Sequence, residues 1–159
     1  MIRLFVFTLL FSTGVLAAGS YSNDDSNNVS SSSAEDQITK LYNKAYELVY
    51  EKKFDKSIKL LKKIAKRNDL GKMKADVYNL LGFSYRKIEN PDLDKAFASY
   101  KIAIQVDPQH VGAHEYLGEL YLTLGNKLMA EKMLATLEEI AGTNSNEYKK
   151  LKKALSNFN

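Results

Sequence analysis

The sequence predicts an all-α fold, built as a short α-solenoid of three helix-turn-helix repeats with a C-terminal capping helix. From Glu35 onward, apolar residues recur at spacings of three and four, and the chain has two prolines and no alternating strand pattern. In addition, the segment Asn-Leu-Leu-Gly-Phe-Ser-Tyr at 79–85 is echoed by Glu-Tyr-Leu-Gly-Glu-Leu-Tyr at 115–121. A motif that recurs about once every 34 residues indicates stacked repeats.

The first 35 residues differ from the rest of the chain. Arg3 precedes an apolar run from Leu4 to Phe11, and small residues follow, which is typical of a cleavable signal peptide, here residues 1–19. A bilayer span needs about 20 apolar residues, so an uncleaved anchor is the less favoured alternative. Residues 20–35 are rich in Ser, Asn and Asp and are predicted to form a disordered tether. The predicted location is the bacterial periplasm, reached by secretion across the inner membrane.

The predicted helical domain covers residues 36–158. Apolar residues at helical spacing mark its first two helices: Ile38, Leu41, Ala45, Leu48 and Val49, then Phe54, Ile58, Leu61, Ile64 and Ala65. The turn at 51–53 is so short that the two helices are expected to lie antiparallel.

The spacing of small and apolar residues sets the repeat boundaries. Three pairs are each 34 residues apart: Ala96 and Ala130, Tyr100 and Leu134, Pro108 and Gly142. Gly82 and Gly118 are 36 apart, which two extra residues in the turn at 90–93 explain. The predicted repeats are therefore 38–71, 75–110 and 111–144. The capping helix is predicted at 146–158, where apolar and lysine residues occupy opposite faces.

The Leu-Gly-x-x-Tyr motif, the later alanine and the final proline resemble the tetratricopeptide repeat (TPR) family, which implies a right-handed solenoid. The first repeat departs most from this pattern, with Ala45, Leu48, Ser57 and Asp69 at the Gly, Tyr, Ala and Pro positions. The Glu-Tyr-x-x-Leu-Lys segment at 147–152 is similar to the last helix of small exported bacterial TPR proteins.

Small residues are expected where the two helices of one repeat approach each other. These are Ala45, Gly82 and Gly118 on the first helices, and Ala96 and Ala130 on the second. Three tyrosines at consensus packing positions are expected in the core: Tyr85, Tyr100 and Tyr121.

The resemblance implies that a ligand, an extended peptide or a helix, lies along the concave surface formed by the first helices. The predicted partner-binding groove has an aromatic half and an acidic half, lined by Tyr42, Tyr46, Tyr50, Asn79, Phe83, Arg86, Glu115, Glu119 and Leu122. The alternative is that its aromatic side chains pack against the tether or a second copy of the chain. The family's two-carboxylate clamp is absent, because its positions hold Tyr42, Tyr46, Leu80, Gly112 and Tyr116.

Several classes of function are disfavoured by composition and motifs. The chain has no cysteine, which excludes disulfides and thiolate metal sites. His110 and His114 are four residues apart but lack a third ligand, so no metal site and no cofactor are predicted. No catalytic constellation is recognisable, so the chain is predicted not to be an enzyme.

Charge gives two further expectations. Lysine and arginine outnumber aspartate and glutamate only 23 to 19, which disfavours nucleic acid as a partner. The segment 52–67 carries eight basic residues and one acidic residue, so contact with an anionic membrane is expected to be peripheral at most, with a solvated face as the simpler interpretation.

These observations predict a protein–protein interaction scaffold of the cell envelope. The alternative is a structural protein that self-associates, as a homodimer, through an uncovered apolar edge of the first repeat.

Overall fold

A computed structural model describes the backbone of residues 29–158 and the side chains of residues 34–158. Over this range the chain forms seven α-helices and no strand: α1 (Val29–Tyr50), α2 (Phe54–Ala65), α3 (Met73–Lys87), α4 (Leu93–Val106), α5 (Val111–Thr123), α6 (Lys127–Ala141) and α7 (Asn146–Ser156). None of these helices is long and apolar enough to cross a bilayer.

The helices pack as consecutive pairs. α1 contacts α2, α3 contacts α4, and α5 contacts α6, while each pair touches the next through α2 with α3 and α4 with α5. The first helices of the pairs, α1, α3 and α5, also touch in order, and α7 packs on both α5 and α6. This arrangement is a helical-repeat fold, so the predicted all-α class is confirmed.

Two apolar clusters form the core. One joins α1, α2 and α3 around Leu61, Ile64 and Val77, which are fully buried. The other joins α4 to α7 around Tyr100, Leu120, Leu137 and Leu151. Tyr85 packs against both clusters, because it lies on α3 between them. The predicted core tyrosines therefore lie in or against the core, with Tyr100 and Tyr121 buried and Tyr85 half-buried.

Four helices begin with a side chain that accepts a hydrogen bond from a free backbone N–H. The caps are Asp92 for α4, His110 for α5, Asn126 for α6 and Ser145 for α7. By contrast, α2 and α3 begin after Lys53 and Lys72, whose side chains make no such bond. A side-chain cap stabilises a helix by about 1 kcal/mol. The N-termini of α4 to α7 are therefore more stable than those of α2 and α3.

The small residues bring helices together, although one partner differs from the expectation. A Cβ placed on Gly82 would lie 2.7 Å from Tyr100 Cε1 of α4, as expected for the second helix of the same repeat. A Cβ on Gly118 would instead collide with Leu151 of α7, 2.9 Å from Cδ1. Gly118 therefore allows the capping helix α7 to approach α5 closely. The prediction was that Gly118 contacts the second helix of its own repeat, α6, and this was wrong, because its nearest neighbour is Leu151.

The N-terminal boundary also differs from the prediction. α1 begins at Val29, so residues 29–35 are helical and not part of a tether. The rest of the predicted tether and the signal peptide at 1–19 lie outside the described residues. The outward face of α1 is polar, with Asp36, Lys40, Asn43, Lys44 and Glu47 all exposed. The expected apolar edge on the first repeat is therefore absent from this face.

Candidate functional site

A cleft of about 450 Å³ lies on the side of the stack formed by the first helices. We call it the aromatic cleft, because it is lined by Tyr42, Tyr46, Tyr50, Phe54, Phe83 and Tyr116. Its other lining residues are Val49, Lys52, Asn79, Leu80 and Lys87. Side chains from three repeats thus meet at one surface.

The rings of the aromatic cleft divide into a packed floor and an open rim. Phe83 packs against Tyr116 at 5.1 Å between ring centroids and against Phe54 at 6.5 Å. Tyr46 and Tyr50 are 58% and 76% exposed, one helical turn apart on α1. Large apolar groups exposed together in this way are characteristic of binding surfaces.

Arg86 supports the floor from beneath. Its side chain is only 9% exposed, and its guanidinium donates to Glu119 Oε2 at 2.6 Å. The same guanidinium lies 6.0 Å from the Phe83 centroid and 5.5 Å from the Tyr116 centroid. Burial raises the pKa of Tyr116 to about 12, so its hydroxyl stays protonated at neutral pH. The floor is therefore a fixed, neutral aromatic surface with an ion pair behind it.

Four residues predicted to line the groove do not line the aromatic cleft. Arg86 and Glu119 form the ion pair behind its floor, and the other two are buried elsewhere. Leu122 is 9% exposed and belongs to the core cluster of α4 to α7. Glu115 is 2% exposed, because α7 packs on α5 and places Lys150 Nζ 3.4 Å from Glu115 Oε1. Burial raises the pKa of Glu115 to about 7, partly offset by Lys150. The assignments of Leu122 and Glu115 were wrong, because the repeat pattern did not show which face of α5 the rest of the C-terminal core covers.

The two acidic residues predicted to form the acidic half of the groove do not line the cleft. Glu115 is buried, and Glu119 is paired with Arg86. The charged residues that do line the aromatic cleft are Lys52 and Lys87. The cleft is therefore aromatic and basic.

Asn79 contributes the polar group of the cleft. Its side chain lies against Gly112, where a Cβ would come within 3.2 Å of Asn79 Nδ2. Its Oδ1 is buried and has no hydrogen-bond partner among the described residues. Buried carboxamides normally satisfy both ends, so this oxygen is an unpaired acceptor beside the cleft.

Sequence reasoning missed several lining residues. Phe54 starts a second helix, whereas the groove was predicted from residues of the first helices alone. Lys52 lies in the turn before Phe54, with a φ of 58°. Tyr116 was considered only as a position of the family's clamp. The presence of a tyrosine at a groove position of the clamp could have predicted that Tyr116 lines an aromatic groove.

The two histidines have structural partners. His110 Nδ1 accepts from the Ala113 N–H at 3.1 Å, and its Nε2 lies 3.2 Å from Asp76 Oδ1. Burial lowers the pKa of His110, but the hydrogen bond and charge of Asp76 outweigh it and hold that pKa above its usual value. His114 Nε2 bonds the Pro108 carbonyl at 2.8 Å. Across residues 34–158, no group of three His, Asp or Glu side chains is placed to hold a metal ion.

Comparison with known proteins identifies the repeats. A model of the tetratricopeptide repeat family matches residues 87–155, which contain α4, α5, α6 and all but the last residue of α7. The uncharacterized protein ycf37 of Porphyra purpurea is 37% identical over 78 residues, covering 48% of this chain and 44% of that protein. The match thus spans less than half the length of this relative.

Solved structures share the fold. The Yersinia enterocolitica type III secretion chaperone SycD, in complex with a peptide of the translocator YopD, is 21% identical with a TM-score of 0.63, covering 77% of this chain and 89% of that chain. PcrH in complex with the chaperone binding region of PopD is 19% identical with a TM-score of 0.63, covering 77% and 88%. A chain of the CopN–Scc3 complex is 20% identical with a TM-score of 0.61, and the match covers 86% of this chain and 79% of that chain. Residues 87–155 thus match the tetratricopeptide repeat family, and the paired helices of the described chain share the fold of these solved structures.

Proposed function

We propose that this chain is a non-catalytic scaffold that binds an extended or helical segment of a partner protein in the aromatic cleft. The observation that carries the proposal is the cleft itself, in which six aromatic rings from three repeats converge and two of them are more than half exposed. Aromatic side chains dominate the energetics of protein interfaces, because they bury a large area and lose little conformational freedom. Two proteins of the same fold, SycD and PcrH, have been solved with a segment of another protein bound.

The lining of the cleft indicates the kind of segment that fits. The packed floor of Phe83 and Tyr116 suits apolar anchors, and Asn79 Oδ1 suits a backbone N–H. Lys52 and Lys87 suit a carboxylate, and no acidic side chain among residues 34–158 lines the cleft. We therefore expect a ligand with two or more apolar side chains flanked by Asp or Glu.

The proposal includes a location. The apolar run from Leu4 to Phe11 and the small residues after it support export, and the partner would then be met in the cell envelope. Fractionation of cells that express the full chain tests this part: processed protein in the periplasmic fraction is the expected result. Unprocessed protein in the cytoplasm would contradict it and would leave the cleft proposal intact.

A phage-displayed random peptide library, panned on the full chain, tests the cleft. The test variant is Tyr46→Ala with Tyr50→Ala, which removes exposed rings without opening a cavity. Its matched control is Leu124→Ala with Leu128→Ala, because these two side chains are 52% and 63% exposed and lie outside the cleft. Peptides selected on the native chain should bind the test variant at least about 30-fold more weakly and the control normally.

Two outcomes would contradict the proposal. The first is a set of selected peptides that bind the native chain and the Tyr46/Tyr50 variant equally. The second is light scattering that shows a native dimer and a monomeric Tyr46/Tyr50 variant, because the rings would then be occupied by a second copy of the chain. The polar outward face of α1 argues against that alternative, since it offers no second apolar surface to extend such a contact.

A further inference from the structure

The outer face of α2 is a stripe of lysines. Five of them, Lys56, Lys59, Lys62, Lys63 and Lys66, are exposed. At about 100° per residue they fall within an arc of about 120°, which extends about 15 Å along the helix. The buried residues of α2, Ser57, Leu61 and Ile64, lie on almost the opposite side. We call this face the lysine stripe; Asp55 is the one acidic residue within it.

The lysines of the stripe have no partners within the fold. No described residue forms an ion pair, a hydrogen bond or a cation–π contact with any of the five. Three of the four lysines of α7 are different. Lys150 is paired with Glu115, Lys149 donates to the Asn144 carbonyl, and Lys152 lies over the Tyr148 ring. The stripe thus has four uncompensated positive charges in excess, available to an external anion.

We propose that the lysine stripe docks the protein on an anionic lipid surface. A bilayer with acidic headgroups presents a plane of negative charge, and a row of flexible lysines on one side of a helix matches it without a fixed register. None of the five lysines lines the aromatic cleft, and the two nearest α3, Lys62 and Lys66, border a separate groove between α2, α3 and α4. Docking there leaves the cleft open, so the inference is independent of the proposed function.

The composition of the stripe disfavours the other anionic partners. An acidic protein partner needs a central apolar anchor. The half-buried Ile58 lies beside the stripe and outside its arc, so it offers no anchor at the centre, and lysine is depleted from the centres of protein interfaces. Sequence-specific recognition of nucleic acid favours arginine, whose planar group bonds phosphates and bases in pairs. Both arginines of the described chain are already engaged, Arg67 with Asp69 and Arg86 with Glu119.

The test is sedimentation of the full chain with vesicles. Vesicles of phosphatidylcholine alone are compared with vesicles of phosphatidylcholine and phosphatidylglycerol, and the readout is the ratio of the two binding constants. Residues 1–28 are common to every variant, and their apolar contribution largely cancels in this ratio. The test variant is Lys59→Gln, Lys62→Gln and Lys63→Gln. The control is Lys149→Gln, Lys152→Gln and Lys153→Gln, which removes the same charge from α7.

Each lysine near an anionic surface strengthens binding about fivefold, so the α2 variant should lose about 100-fold in the ratio. The α7 variant should stay within a few-fold of the native chain. Equal losses in both variants would assign the effect to net charge and overturn the proposal, as would a native chain without preference for anionic vesicles. Displacement of the native chain from the vesicles by a short single-stranded RNA at equal charge concentration would overturn the lipid assignment in favour of nucleic acid. Circular dichroism of the α2 variant should be unchanged, because the altered side chains are exposed.

Discussion

Replacement of Glu115 by glutamine is expected to stabilise the protein at high pH. Glu115 is almost fully buried between α5 and α7, and Lys150 at 3.4 Å is its one charged partner. Burial is the largest influence on this carboxyl and raises its pKa, while Lys150 lowers it and Glu119 raises it further. The result is a pKa near 7, compared with an ordinary value of 4.5.

The sign of the effect follows from proton binding. Between pH 4.5 and about 7, the folded chain holds a proton on Glu115 that the unfolded chain has released. The free energy of unfolding therefore falls as pH rises through this window and is independent of Glu115 on either side of it. At about 1.4 kcal/mol per pKa unit, the total change is about 3 kcal/mol. Glutamine cannot lose a proton, so Glu115→Gln removes this dependence.

Urea unfolding followed by circular dichroism between pH 4 and pH 8 measures the difference. We expect the native chain and Glu115→Gln to be nearly equal at pH 4, and the variant to be more stable by up to about 3 kcal/mol at pH 8, or about 8 °C in the thermal midpoint. The control is Glu138→Gln, an exposed carboxylate on α6. A difference between native and variant that does not change with pH would refute the raised pKa. A variant less stable than the native chain at pH 8 would show that the contact with Lys150 outweighs the cost of burial.

Three further predictions concern packing. Leu117→Ala should lower the free energy of unfolding by about 2–5 kcal/mol, measured by urea unfolding, because Leu117 is buried in the C-terminal core and its loss leaves a cavity. Gly118→Ala should lower the free energy of unfolding by about 1–3 kcal/mol, because the new methyl collides with Leu151. The double variant with Leu151→Ala should lose less stability than the two single variants added together, and additive losses would contradict the contact. Ser57→Ala should cost about 1 kcal/mol, since the buried hydroxyl donates to the Ala45 carbonyl at 2.9 Å, and an unchanged midpoint would contradict that bond's contribution.

The repeat architecture was predictable because it depends on local periodicity. The spacing of apolar residues and the recurring Leu-Gly-x-x-Tyr motif fix where helices lie and which faces pack, and the turn at 51–53 is found between α1 and α2. The aromatic residues of α1 were also placed correctly at the cleft, because neighbouring first helices in a solenoid align their faces. Whether these residues bind a partner stays a prediction.

The errors arose where a long-range contact decides the environment. Glu115 looked like a solvent-facing groove residue in its own helix, but α7 covers it, and nothing local to residues 111–123 encodes that contact. Gly118 was given the wrong neighbour for the same reason. At the other end, the polar residues after Val29 predicted a disordered tether, yet they extend α1. Polar composition alone does not separate a tether from the solvated start of a helix.

The uneven distribution of helix caps implies a gradient of stability along the stack. A side chain caps the N-terminus of each helix from α4 to α7, whereas α2 and α3 have no such cap. Among the described helices, α1 contacts only α2 and α3. In a linear array each unit is supported by its neighbours, so local opening is expected to begin at α1 and α2. The aromatic cleft joins this loosest pair to α3 and α5. A bound segment would contact both sides of that junction and so disfavour the opening of α1 and α2. Amide hydrogen exchange in these two helices is expected to slow most when the cleft is occupied.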